Sequence, residues 1–98
     1  MKNYLVKNQY LTITKNTTFP PEKYGGWSLV NTGDVALTVN GVLLDPAGPV
    51  IGVDYTNLPP NVRWSDNISI RFIGTGTNPQ AVLTRLEYTE IEERKFKR

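Results

Sequence analysis

Residues 27–48 read WSLVNTGDVALTVNGVLLDPAG. Val35, Leu37 and Val39 alternate with Ala36, Thr38 and Asn40, the two-residue period of a strand with one buried face. Asn40-Gly41 then separates this run from Val42–Leu44. Asn-Gly between two apolar runs is a strong short-range hairpin signal, because a type I′ turn needs positive φ at both central residues. The stretch therefore predicts a β-hairpin with arms Val35–Val39 and Val42–Leu44. Asn31-Thr32-Gly33-Asp34 before it and Asp45-Pro46-Ala47-Gly48 after it are turn chemistry.

The flanking sequence continues in the same manner. Downstream, Ile68, Ile70 and Phe72 alternate with Ser69 and Arg71, an inward and an outward set. In 81–89, Val82, Thr84, Leu86 and Tyr88 alternate with Leu83, Arg85 and Glu87. In 50–55, Ile51, Val53 and Tyr55 are the expected inward set, with Gly52 marking a bulge or a close backbone approach. Residues 3–14 read as two short strands about a Lys7-Asn8-Gln9 turn, or as one long bent strand. Tyr4, Val6, Tyr10, Thr12 and Thr14 would share one face, and Leu5, Leu11 and Ile13 the other. Two loops carry proline pairs, Pro20-Pro21 and Pro59-Pro60, which cannot lie in central strands. Both are expected at one end of the domain.

These elements add up to about seven or eight short strands with turn signals between them. The fold class is all-β: a small antiparallel β-sandwich over residues 1–89, open to a jelly-roll connectivity, followed by a charged tail or arm over 90–98.

The 98 residues suit one domain with a modest core. The chain has no cysteine and no histidine. That removes disulfides, thiolate metal sites, the commonest general base and the commonest metal ligand. The net charge of +2 is slight and shows no clustered basic face in the body, so no specific nucleic-acid partner is expected. No apolar run is long enough to span a bilayer. Lys7 interrupts the apolar Tyr4-Leu5-Val6 too soon for a signal peptide, so synthesis in a cytoplasm is expected.

No constellation announces a reaction. Ser28, Ser65 and Ser69 lack a base. Asp34, Asp45 and Asp66 sit in turn positions, and Asp54, in a strand, is the carboxylate without an evident reason. No calcium-loop pattern occurs, and Gly74-Thr75-Gly76 lacks the lysine and helix of a phosphate loop. The expectation is a non-enzymatic chain without a metal or cofactor. Two sets of residues are candidates for binding. Phe19, Tyr24 and Trp64 in the loops, with Arg94, Lys95 and Phe96 in the tail, are candidate partner or subunit contacts. Trp27, Trp64, Tyr55, Asn61 and Asp66 are an alternative sugar site, built from aromatic faces and hydrogen-bonding side chains.

The run Asn31-Thr32-Gly33, then Val35-x-Leu37-x-Val39-Asn40-Gly41, then Leu44-x-Pro46-x-Gly48, is similar to small β-sandwich proteins of bacteriophage virions. The likeness covers roughly residues 27–74. It implies a symmetric homo-oligomer held on a virus shell as a minor capsid, vertex or decoration protein. The partners it implies are the chain itself and other virion proteins, and it transfers no catalytic residue. The alternative reading is a carbohydrate- or receptor-binding sandwich module.

Overall fold

The computed structural model describes residues 3–21, 25–59 and 62–91. It contains eight strands: β1 (Asn3–Ile13), β2 (Thr17–Phe19), β3 (Trp27–Asn31), β4 (Leu37–Val39), β5 (Val42–Leu44), β6 (Gly52–Asp54), β7 (Ile68–Phe72) and β8 (Ala81–Ile91). Among the described residues there is no helix, and hence none long and apolar enough to cross a membrane.

The strands form two four-stranded antiparallel sheets, ordered β1-β8-β3-β6 and β2-β7-β4-β5. The chain is a small β-sandwich. First strand lies with last, third with sixth, second with seventh and fourth with fifth. This is the nesting of a long hairpin folded over on itself, the strand order of a jelly roll.

The Asn40-Gly41 hairpin forms as its chemistry requires. Asn40 has φ 50° and Gly41 φ 84°, and the ladder pairs Leu37 with Leu44 and Val39 with Val42. The ladder starts at Leu37, but Val35 is still buried at the edge of the core. Side chains from both sheets close that core. Trp27, Leu29 and Leu83 from one sheet meet Leu37, Val39, Leu44, Ile68 and Ile70 from the other, all enclosed. Each such aliphatic side chain contributes roughly 1.5–3 kcal/mol by leaving water.

Residues 3–13 are one strand of 11 residues, so Lys7-Asn8-Gln9 makes no turn. The last strand also has 11 residues and reaches Ile91, two residues into the expected tail. The two pair along their full length, from Asn3↔Ile91 to Ile13↔Ala81. Neighbouring β3 accompanies β8 only over Ala81–Arg85, and Gly25 and Gly26 extend that pairing to Leu86. Beyond Leu86, among the described residues, β1 and β8 form a two-stranded ribbon. Its alternation is of little use for burial: Leu5 is 61% and Val6 56% exposed. Ile51 also departs from the inward set, at 45% exposed just before β6, whereas Val53 packs against the core.

Candidate functional site

One end of the sandwich gathers the β2–β3 connection, the Asn40-Gly41 turn and the β6–β7 loop. Asn40 ties two of them together: its Nδ2 donates to the Asn67 carbonyl at 2.9 Å, and its Oδ1 accepts from Ser69 N–H at 2.7 Å. Three aromatic rings meet there. Trp27 lies 4.9 Å from Tyr55 and 5.3 Å, edge-on, from Trp64, and Tyr55 lies 5.3 Å from Trp64, all centroid to centroid. Such geometry is favourable beyond the area it buries. Gly26 lets the backbone pass close to β6: a Cβ there would stand 2.2 Å from the Tyr55 carbonyl oxygen. This approach allows Trp27 and Tyr55 to exchange backbone hydrogen bonds at 3.3 and 2.7 Å.

The cluster sorts the sugar-site candidates. Trp27 is fully enclosed and has no face left for a sugar. It is the floor of the cluster, a core residue. Trp64 is half-buried above it, and Tyr55 is 38% exposed. Asp66 is exposed and accepts the Asn67 N–H at 3.0 Å. Asn61 lies outside the described residues. Leu58, Val62, Arg63, Trp64, Ser65 and Asp66 line an open pocket of about 320 Å³, the low end of the range for small-ligand sites. The Nε1 atoms of both tryptophans are buried and have no hydrogen-bond partner among the described residues.

Of the proposed partner contacts, Phe19 is half-buried against the core with the Arg85 guanidinium 5.7 Å above its ring. Tyr24, Arg94, Lys95 and Phe96 lie outside the described residues. Two contacts had no signal in the sequence. Arg63 places its guanidinium 5.3 Å from the Tyr88 ring centre, joining the β6–β7 loop to the root of the ribbon. On the other face of β8, where the ribbon begins, Arg85 donates to Gln9 Oε1 at 2.8 Å, and Gln9 Nε2 donates to Glu87 Oε1 at 3.4 Å.

The four aspartates all accept backbone N–H groups. Asp45 takes that of Ala47 at 3.1 Å, and Asp54 takes that of Thr56 at 2.9 Å together with its hydroxyl. The second pattern explains the strand-end Asp54, as a side chain closing a turn two residues on. Asp34 clamps the opposite end of the sandwich. It accepts from Asn78 N–H at 2.8 Å and from the Thr77 N–H and hydroxyl at 3.3 and 3.2 Å. The Asn78 N–H, then the Thr77 N–H, holds its pKa below the ordinary 3.8. Asp54 is lowered likewise, by the Thr56 hydroxyl and then its N–H.

A carboxylate with a lowered folded pKa stabilises the fold above its unfolded pKa and loses that effect as pH falls through the folded value. Asp34→Ala is therefore expected to lower the melting temperature at neutral pH and to flatten its decline on acidification below about pH 4. Thermal melts of both proteins from pH 7 to about pH 2.5 check this; parallel curves would remove Asp34 from the acid response.

Among the described residues no group of three or more acidic side chains comes together in a way that would hold a metal ion. No known protein family model matches the sequence, no curated protein matches it, and no match was found among solved structures.

Proposed function

We propose that the chain is a non-enzymatic structural component of a virus particle: a small jelly roll that self-associates and contacts neighbouring shell proteins. The observation that carries this reading is the strand order β1-β8-β3-β6 over β2-β7-β4-β5. Virus-shell domains use this architecture, as do lectins and cupins. Fold alone does not assign function, so the surface must choose among them. A cupin-type metal enzyme needs ligands, and this chain has no histidine. Its aspartates are occupied with turns. The two-stranded ribbon leaves the body and exposes Leu5 and Val6, as an assembly arm would. The virion is then its place of action.

The test is mass spectrometry of particles purified from lysates of the cell that makes the chain. The chain should co-purify with shell proteins at a fixed copy number through a density gradient. Its absence from every particle fraction overturns the reading.

The pocket beside Trp64 favours one second reading, a carbohydrate- or receptor-binding module. Under it, a glycan array gives a hit that Trp64→Ala abolishes while the thermal transition persists.

A further inference from the structure

We infer that β1 is a docking edge for a second copy of this chain, the two β1 strands pairing antiparallel about a two-fold axis at Asn8. The inference rests on the self-associating part of the proposed function and does not depend on the virion.

The four sheet edges are not alike. β2, β5 and β6 are edges of three residues each. Prolines stand close to them in sequence: Pro20-Pro21 after β2, and Pro46 and Pro49 between β5 and β6. Short strands and prolines are the usual protections of a sheet edge against pairing with another chain. Strand β1 has none of these. It is an edge of 11 residues with no proline and a single lysine. It also carries Leu5 at 61%, Val6 at 56% and Tyr10 at 68% exposure. Its outer half belongs to a two-stranded ribbon, which is marginal in water without further cover.

The ladder determines which backbone groups are open. Leu86 donates to Gly26 and accepts from Gly25, so its polar groups face β3. Orientation alternates along a strand. The odd-numbered residues of β8 therefore face β1, and the register pairs them with the odd-numbered residues of β1. That leaves the N–H and C=O groups of Tyr4, Val6, Asn8, Tyr10 and Thr12 pointing at the open edge.

A second β1 laid antiparallel must match these even positions with even positions. Centring the pair on Asn8 sets Val6 opposite Tyr10, Leu5 opposite Leu11, Lys7 opposite Gln9, and Asn8 opposite itself. A β-branched residue facing an aromatic one, and leucine facing leucine, are favourable cross-strand pairs. No like charges meet. Centring on Lys7 would instead set lysine against lysine, which is unfavourable. The register centred on Asn8 is thus self-complementary, as a two-fold interface requires. The resulting sheet is continuous across both copies, with about ten new backbone hydrogen bonds, two for each closely spaced pair.

The absence of cysteine makes a direct test available. Residues opposite each other at such a site have Cα atoms about 5.5 Å apart, within disulfide range. Asn8→Cys is expected to oxidise to a covalent dimer, while Thr77→Cys, on the exposed β7–β8 loop, remains monomeric under the same conditions. Light scattering over a concentration series should give twice the chain mass for the natural protein. Val6→Pro removes one open N–H from each copy and no bond to β8. It should weaken the dimer at least about tenfold with the melting temperature of the monomer kept. Lys7→Pro, which removes a β8 bond, should lower that temperature. Self-association that Val6→Pro leaves unchanged, or equal crosslinking at both cysteine positions, overturns the β1 edge alone. A monomer at every concentration overturns the edge and self-association together.

Discussion

Trp27→Ala is expected to lower the melting temperature by at least about 12 °C. Trp27 is fully enclosed, and its ring supports both Tyr55 and Trp64. Truncating a buried tryptophan costs about 3–5 kcal/mol, lost transfer energy plus the cavity left behind. A domain of this size has about 5–15 kcal/mol in all, and each kcal/mol moves its midpoint by about 4–8 °C. Trp27→Phe should cost much less than alanine. It keeps a ring in the cavity and removes an indole N–H that has no partner among the described residues. Calorimetry of the two variants checks both statements. A fall of under about 5 °C for alanine would mean that Trp27 is not the floor of the cluster.

Asn31→Leu is expected to cost at least about 2 kcal/mol although it adds apolar surface to the core. Asn31 is 5% exposed and has three hydrogen bonds. Its Nδ2 donates to the carbonyls of Val35 and Leu44, each at 2.9 Å, and its Oδ1 accepts from Gly33 N–H at 3.1 Å. One side chain thus joins the end of β3 to the turn before β4 and to the end of β5, across the two sheets. Leucine takes the amide donor from the Val35 and Leu44 carbonyls, at about 1–3 kcal/mol for each one that water cannot reach, while the Gly33 N–H keeps the Gln80 carbonyl at 3.0 Å. Asn31→Asp gives a sharper signature. Its carboxylate would face two carbonyl oxygens, so the folded state favours the protonated acid and the pKa rises. A raised folded pKa gives stability that is full below the unfolded value, about 3.9, and is lost as pH rises through the folded one. This variant should therefore melt higher at pH 4 than at pH 7, opposite to the effect of Asp34 and Asp54. Melts at the two pH values decide it, and equal midpoints would place residue 31 in contact with water.

The hairpin was legible because Asn40-Gly41 is a local instruction: few residue pairs tolerate positive φ twice. The inward sets Ile68, Ile70 and Leu37, Val39 were legible because one face of each strand meets a core. The long strands were not, for the complementary reason. Lys7-Asn8-Gln9 has the composition of a turn, but it lies where β1 passes from the four-stranded sheet onto the ribbon, at the margin of the core, where little demands apolar residues. Strand order was hidden because pairing first with last leaves no mark at either end. At the aromatic cluster, Trp64 and Tyr55 were recognisable by type. Sequence alone does not distinguish a tryptophan that floors a cluster from one that lines a pocket, and Trp27 proved to be the former. Asn31 looked like turn chemistry because Asn-Thr-Gly is a turn sequence; its second task, inside the core, depends on β5 arriving beside it.

The pairing of β1 with β8 also governs when the molecule becomes whole. Their partners stand nearly the full chain apart, Asn3 with Ile91, and β8 is the last of the eight strands to leave the ribosome. Contacts of such long range slow folding, because a large loop must close before any pairing repays it. Until β8 is released, β1 has both edges open and β3 lacks one of its two neighbours. The central hairpin, with its adjacent arms, can form early. Closure of the β1-β8-β3-β6 sheet waits until β8 has left the ribosome.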